Sequence, residues 1–291
     1  MGASTSKKKR FHLWQIIAAG VGLALGVFFL FFEAHRLENV LLIDDGGAPH
    51  VVYTERVSSE DSDDYYRVTT VRASDGERLK RSEIGDTEGE FKAYWRVYER
   101  KAWLVERGQP DLFDLLTHTY ADVSYPLVHT GLPTWPVTSG ALRATLASSK
   151  ANVYIHADGD VSEAKGQERR SKLYPCWRQP SKIPLQNASV RGCWGKERAF
   201  IQTSRGADKR DWMLRLTAPG GDYGASTWEL SAKELTGNDE AWFGDALVSG
   251  DAVWVVLVEP SYLLVPLFKT RSFRFVEVSA SDGAIVVNKV L

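Results

Sequence analysis

The chain has 291 residues, of which 44% are hydrophobic and 25% charged, with 36 basic against 37 acidic side chains. That balance excludes wholesale disorder, a collagen-like fibre and a disulfide-dense miniprotein, and it argues against a chain built to coat nucleic acid. Without the first 33 residues, which hold four basic side chains and one acid, the body carries 32 basic against 36 acidic groups and is long enough for one large core or two small ones.

Leu13 to Phe32 reads LWQIIAAGVGLALGVFFLFF, uncharged and with Gln15 as its one polar side chain. At ~1.5 Å per helical residue this run covers the roughly 30 Å hydrocarbon layer of a bilayer. Lys7, Lys8, Lys9 and Arg10 precede it, so residues 1–12 are expected to stay cytoplasmic, residues 13–33 to span, and residues 37–291 to lie across the membrane. A bacterial inner membrane with a periplasmic body fits this arrangement best. A cleaved signal is the competing reading, but its apolar run is shorter, about 7–15 residues, and Phe32 stands where a small residue is needed for cutting after Ala34. Ala18, Gly22 and Gly26 recur at every fourth position, which places small residues on one helix face where a second membrane helix can approach closely. Gly2 and Ser6 match a myristoylation pattern, but a spanning helix gains little from an acyl chain and the match is read as coincidence.

Beyond Val40 the pattern changes to short runs rich in Val, Trp, Tyr, Phe and Thr, separated by Gly, Asp, Pro and Asn. Strands are expected at 51–57, 66–73, 94–98, 102–106, 111–118, 152–157, 198–204, 212–218, 226–231, 252–259, 273–280 and 284–291. Residues 140–149 are expected to form a short helix capped by Ser139, and 162–172 a charged linker or helical turn. The body is therefore read as all-β.

Two segments repeat: Val71-Arg-Ala-Ser-Asp-Gly-Glu-Arg-Leu79 and Val278-Ser-Ala-Ser-Asp-Gly-Ala-Ile-Val286. Asp-Gly suits a tight turn because Gly takes positive φ without steric cost. Weaker copies of strand, turn and strand fall at 112–123 and 213–228. The unit resembles the blade of a quinoprotein-like or WD-type β-propeller, in which a strand ends in A-x-D-x-x-T-G-x-x-L; Ala73-Ser-Asp75-Gly76 and Ala280-Ser-Asp282-Gly283 carry a shortened form of it. The resemblance implies a propeller of about five blades and specifies fold rather than task. A β-sandwich with Asp-Gly turns is the alternative.

Motifs that carry chemistry are few. Cys176 and Cys193 flank a Pro-rich loop; a disulfide there fits an oxidising compartment, and two free thiols are the alternative. The sequon Asn187-Ala188-Ser189 lies inside this loop. The six histidines lack metal-ligand spacing, His156-Ala-Asp158-Gly-Asp160 reads as a polar turn, and the acidic run Glu60, Asp61, Asp63, Asp64 reads as a solvated hairpin tip rather than a calcium loop. No G-x-S-x-G elbow or phosphate loop is present, and the adjacent cysteines of quinoprotein dehydrogenases are missing, so no catalytic residue, metal or cofactor is assigned. Five tryptophans, Trp95, Trp103, Trp212, Trp228 and Trp254, fall in expected strands and read as core. Trp135, Trp177, Trp194 and Trp242 fall in loop-like contexts, where they either pack against turns or contact a sugar or a partner. The run 258–273, VEPSYLLVPLFKTRSF, is a long apolar connection whose Tyr262, Leu263, Leu264 and Phe268 are candidate interaction residues, or else an ordinary strand pair.

The expected role is a single-pass, non-catalytic accessory or scaffold subunit of a membrane-protein complex. An extracytoplasmic ligand or carbohydrate sensor is the second reading, and a propeller hydrolase or lyase the third.

Overall fold

A computed structural model describes residues 34–58, 64–85, 92–98, 100–106, 109–121, 135–136, 141–146, 148–156, 160–164, 189–194, 197–205, 211–217, 228–262 and 269–291. They form five four-stranded antiparallel sheets, each built from consecutive strands. Sheet I comprises β1 (Ala34–Asp45), β2 (Ala48–Ser58), β3 (Tyr65–Arg72) and β4 (Arg78–Ile84). Sheet II comprises β5 (Lys92–Tyr98), β6 (Lys101–Glu106), β7 (Gln109–Asp114) and β8 (Thr119–Tyr120). Sheet III comprises β9 (Trp135–Pro136), β10 (Leu142–Thr145), β11 (Asn152–Ile155) and β12 (Val161–Glu163). Sheet IV comprises β13 (Ser189–Trp194), β14 (Glu197–Arg205), β15 (Trp212–Thr217) and β16 (Trp228–Ser231). Sheet V comprises β17 (Trp242–Ser249), β18 (Ala252–Tyr262), β19 (Lys269–Ser279) and β20 (Ile285–Val290).

The second strands explain why the sheets stack face to face. In β6 Ala102 and Leu104 point into the core shared with sheet I, while Trp103 and Val105 point into the core shared with sheet III. In β18 Val253, Val255 and Leu257 face sheet IV, and Trp254, Val256 and Val258 face sheet I. A strand covered on both faces reads as an unbroken apolar run, AWLV or VWVVLV, instead of alternating. Outermost strands carry no such constraint, and β4, RLKRSEI, is largely charged and exposed. Sheet V packs on sheet I through Trp254, Val256 and Phe275 against Leu37, Val40 and Leu42, so the first and last sheets are neighbours. Five sheets in this succession are propeller-like and are not the two layers of a sandwich.

The repeat recognised in the sequence is a repeat in space. Gly76 N–H donates to Arg72 O at 2.9 Å and Gly283 N–H to Ser279 O at 3.0 Å, with φ of +81° and +75°. Asp75 and Asp282 accept from the backbone of Glu77 and Ala284 at 3.0 and 3.1 Å. Ala73 N–H and Ala280 N–H each reach 2.9 Å to the carbonyl of Pro49 or Asp251, at the start of the same sheet's second strand. The weaker copy at 112–123 has the same wiring: His118 N–H donates to Asp114 O, and Leu115 N–H to Arg100 O, both at 2.9 Å. The residues between Thr217 and Trp228, where the other weak copy falls, lie outside the described residues.

Some expectations need correction. Residues 140–149 were expected to be helical; instead Leu142–Thr145 is β10, with Leu142 and Ala144 buried and Arg143 more open, a two-residue alternation. The first two residues of the expected linker or helical turn, 162–163, belong to β12. The one helix among the described residues is α1 (Ala232–Thr236), capped by Ser231, whose side chain accepts from Glu234 N–H, and closed by Gly237 in the left-handed conformation. No helix among the described residues is long and apolar enough to cross a membrane. The expected anchor, with Ala18, Gly22 and Gly26, lies in residues 1–33, outside the described residues.

Candidate functional site

Three of the buried polar side chains among the described residues, Thr70, Asp245 and Arg67, anchor polar clusters, or joints, at or beside the boundaries between sheets.

The first joint links sheets I and II. Thr70 Oγ1 donates to Leu115 O at 2.7 Å and lies 2.9 Å from His118 Nε2. With its hydroxyl hydrogen committed to the carbonyl, Thr70 accepts from Nε2–H. That leaves Nδ1 as the acceptor for Ser82, whose Oγ is 2.9 Å away. Burial pushes the imidazole down to about 4, and nearby Lys80 adds to the shift. An activated serine needs a competent base oriented by a carboxylate. Here the base is weakened and its far nitrogen is held by a hydroxyl, so the Ser82–His118 pair is built as a hinge pin rather than as a nucleophile.

The second joint lies near the inner edge, between sheets V and I. β17 has a bulge between Phe243 and Asp245. Gly244 sits in it because a Cβ there would come within 3.2 Å of Val40 Cβ and of Val258 Cγ2. Asp245, 2% exposed, accepts from Leu42 N–H of β1 at 2.7 Å and from Ala246 N–H at 2.9 Å. Leu42 N–H is thus bonded across the joint by a carboxylate. Nearby, Ser249 Oγ donates to Asp44 Oδ2 at 2.5 Å.

The third joint is charged and sits at the end of sheet I where β1 begins. Arg67, whose side chain is 8% exposed, donates from Nη2 to Tyr65 Oη at 2.6 Å and to Glu83 Oε1 at 3.0 Å. Its Nη1 lies 3.1 Å from His35 Nδ1, and Glu55 Oε2 is 3.8 Å from the same nitrogen. From sheet V, Arg271 is pushed below its ordinary value by burial, with Glu55 opposing the shift, and Phe273 stacks on Tyr53 with ring centroids 4.5 Å apart. Arg67 thus pairs with Glu83, whose side chain is 56% exposed, so the cluster opens to solvent at this edge of sheet I. Among the described residues no three His, Cys, Asp or Glu side chains are grouped to hold a metal ion.

The residues singled out in the sequence are distributed otherwise. Trp103, Trp212, Trp228 and Trp254 are buried strand residues, as read, and Trp95 lies on β5. Trp135, Trp194 and Trp242, read as loop residues, stand on β9, β13 and β17. Trp242 packs against the cores on both sides of sheet V. Cys193 is on β13, while Cys176 and Trp177 lie outside the described residues. The apolar stretch 258–273 is mostly a strand pair, extending to Tyr262 opposite Lys269; Leu263, Leu264 and Phe268 lie outside the described residues. Pro260 is tolerated in that ladder because its carbonyl accepts from Asn238 Nδ2 at 3.0 Å. Its missing N–H therefore also faces the side on which β17, paired only as far as Val258, has ended. These polar clusters were not legible in the sequence, since each is assembled from groups on strands far apart in the chain.

No protein-family model matches the chain, and no curated protein matches it. Among solved structures, a crystal structure of a eukaryotic initiation factor aligns over 88% of this chain and 55% of its own, at 7% identity and a TM-score of 0.28. Drosophila Plexin A in complex with Semaphorin 1b aligns over 88% and 43%, at 11% identity and a TM-score of 0.23. The chain spans about half the length of these structures.

Proposed function

We propose that the chain is a membrane-anchored, extracytoplasmic β-propeller of the quinoprotein-like or WD type, serving as a non-catalytic scaffold or accessory subunit of a membrane-protein complex. The observation that carries the reading is the start of β1 at Ala34, directly behind the uncharged run 13–32. With residues 13–32 as the anchor, the sheet assembly begins within two residues of the spanning run and so sits close to the bilayer surface, which suits a platform for other subunits. The bonds from Thr70 to Leu115 and from Leu42 to Asp245, which tie neighbouring sheets together, support the same reading because they stiffen the platform. The Ala18, Gly22 and Gly26 face supplies the contact within the membrane.

The test is purification of the full chain from its native membrane in mild detergent, followed by native mass spectrometry. A complex of fixed stoichiometry that dissociates on Gly22→Leu/Gly26→Leu is the expected result. A monomer would overturn the scaffold reading and shift attention to glycan and metabolite binding.

A further inference from the structure

Among the described residues five large apolar side chains are left exposed, and three of them, Ile285, Val286 and Val290, stand on β20, the outermost strand of sheet V. The internal repeat shows that the fold does not require this. Counted from the Asp-Gly turns, β4 and β20 share one register and one bulge. Arg78 stands opposite Val71 and Lys80 opposite Thr70, as Ile285 stands opposite Val278 and Val287 opposite Glu277. Arg78 therefore matches Ile285, and Glu83 matches Val290. In sheet I these exposed outer positions are charged, which keeps other strands away; in sheet V they are branched and apolar.

The edge is also open along its backbone. Leu291 N–H donates to Phe273 O at 2.8 Å, so alternate residues of β20, Lys289 among them, turn their backbone groups to β19. Asn288 and Val290 turn theirs away from β19, and no described strand pairs with that side. The side chains add a face. Val276 and Val278, opposite Asn288 and Ile285, belong to the core shared with sheet IV, whereas Phe275, opposite Lys289, belongs to the core shared with sheet I. Directly opposite residues share a face, so Ile285, Asn288 and Val290 stand together on the sheet IV side of β20. Asn288 is fixed there: its Oδ1 accepts from Arg274 Nη1 at 2.9 Å, and its Nδ2 donates to Leu235 O of α1 at 3.2 Å.

We infer that β20 takes an added β-strand from a different subunit, an extended segment with branched or aromatic side chains at alternate positions, so that assembly lengthens sheet V by one strand. The inference deepens the scaffold reading and rests on it. Open N–H and C=O groups on Asn288 and Val290 are met in register by an extended chain, which specifies a strand. Ile285 and Val290 beside them specify apolar partners at alternate positions. A second copy of this chain is the poorer occupant. Two β20 strands that joined Asn288 to Val290 in both directions would set Lys289 directly opposite the second copy's Lys289, and like charges so placed repel. Three part-exposed side chains also fall well short of the roughly 800 Å² that each partner buries in a standard free-standing interface. A segment of a protein already held in the same complex needs less, because its attachment raises the effective concentration.

The test uses the full chain purified with its partners from the native membrane in mild detergent. Hydrogen exchange is read residue by residue, in the complex and after the partners are stripped away. An alternation is expected: the amides of Asn288 and Val290 exchange about ten-fold more slowly in the complex, while that of Lys289, already turned to β19, changes little. A companion variant, Ile285→Arg/Val290→Glu, gives β20 the side chains that sheet I carries at these positions. Native mass spectrometry should show it lacking one subunit, at an unchanged melting temperature. A variant that keeps every subunit, with Asn288 and Val290 exchanging alike before and after stripping, would overturn the inference and leave the scaffold reading standing. Loss of a second copy of this chain, in place of a different protein, would overturn the choice of partner. A wild-type monomer would overturn the scaffold reading and the inference with it.

Discussion

His118 holds, in sheet II, the turn position that Gly76 and Gly283 hold in sheets I and V, and it reaches back with Nδ1 to within 2.9 Å of Ser82 Oγ on the outermost strand of the preceding sheet. The glycines occupy matching places: a Cβ on Gly76 would lie 3.5 Å from Leu291, just past β20 of sheet V, and one on Gly283 would lie 2.7 Å from Trp228 of sheet IV. The turn of each of these sheets rests on the outer strand of the sheet before it, twice through the absence of a side chain and once through an imidazole. The matching Ala280 and Leu115 carbonyls accept from the preceding sheet too, from Trp228 Nε1 at 3.0 Å and Thr70 Oγ1 at 2.7 Å.

His118 has φ of +55°, a conformation that costs a residue with a side chain about 1 kcal/mol or more. Its two side-chain hydrogen bonds offset that cost, at about 1 kcal/mol each. His118→Ala should therefore destabilise by about 2 kcal/mol, since it loses the bonds and keeps the strain. His118→Gly should lose the same bonds but recover the strain, ending about 1 kcal/mol more stable than the alanine variant. Urea unfolding of both decides the point: an alanine variant as stable as the glycine one would show that the turn is unstrained.

The same histidine makes stability depend on pH. Its folded value of about 4 lies below the ordinary 6.5, so below about pH 6.5 the unfolded chain binds a proton that the folded chain refuses. Stability is full above that range, falls as pH drops from about 6.5 toward 4, and has no further loss from this group below 4. The difference in melting temperature between the wild type and His118→Asn, followed from pH 7 to pH 4, should shrink as the wild type loses its advantage. A difference that stays constant would mean that the folded and unfolded chains bind the proton equally, so that burial does not shift His118.

How much of this was readable in advance varies with what each residue faces. The second strands β6 and β18 are readable because AWLV and VWVVLV are buried on both faces. β4 is not, because its side chains meet mostly water and its sequence, RLKRSEI, has no apolar period. β1 was hidden by its bulge between Leu37 and Asn39, which shifts the inward parity so that Leu37, Val40 and Leu42 share one face. α1 is legible in the sequence, where Ser231-Ala-Lys-Glu234 is a capping signal and Gly237 closes the turn. The Asp-Gly repeat was read correctly, whereas its copy at His118 is recognisable only once the Leu115 and His118 backbone bonds are seen.

Gly283 and Gly250 both have positive φ, at +75° and +57°, but only Gly283 is crowded. A Cβ at Gly250 meets nothing within 4 Å, whereas one at Gly283 lies 2.7 Å from Trp228 Cγ. Gly250→Ala should cost about 1 kcal/mol from backbone conformation alone. Gly283→Ala must also displace an indole whose Nε1 is bonded to Ala280 O, and a total of about 3 kcal/mol is expected. Tryptophan fluorescence should shift in the second variant and not in the first. Equal losses of stability would mean that the indole moves aside without cost.

Asp245 should matter more than any exposed ion pair, because it is buried and joins the first sheet to the last. Removing it in Asp245→Ala leaves Leu42 N–H without its acceptor, and a loss of about 3 kcal/mol is expected from a buried, charge-assisted bond. By contrast Arg72, on its exposed turn with Asp75 and Glu77, should lose less than about 1 kcal/mol on Arg72→Ala. Hydrogen exchange distinguishes a local effect from a general one. In Asp245→Ala the Leu42 amide should exchange by local opening, many-fold faster than amides on the β2–β3 ladder, while those keep pace with global unfolding. Unchanged protection at Leu42 would show that the amide has another acceptor.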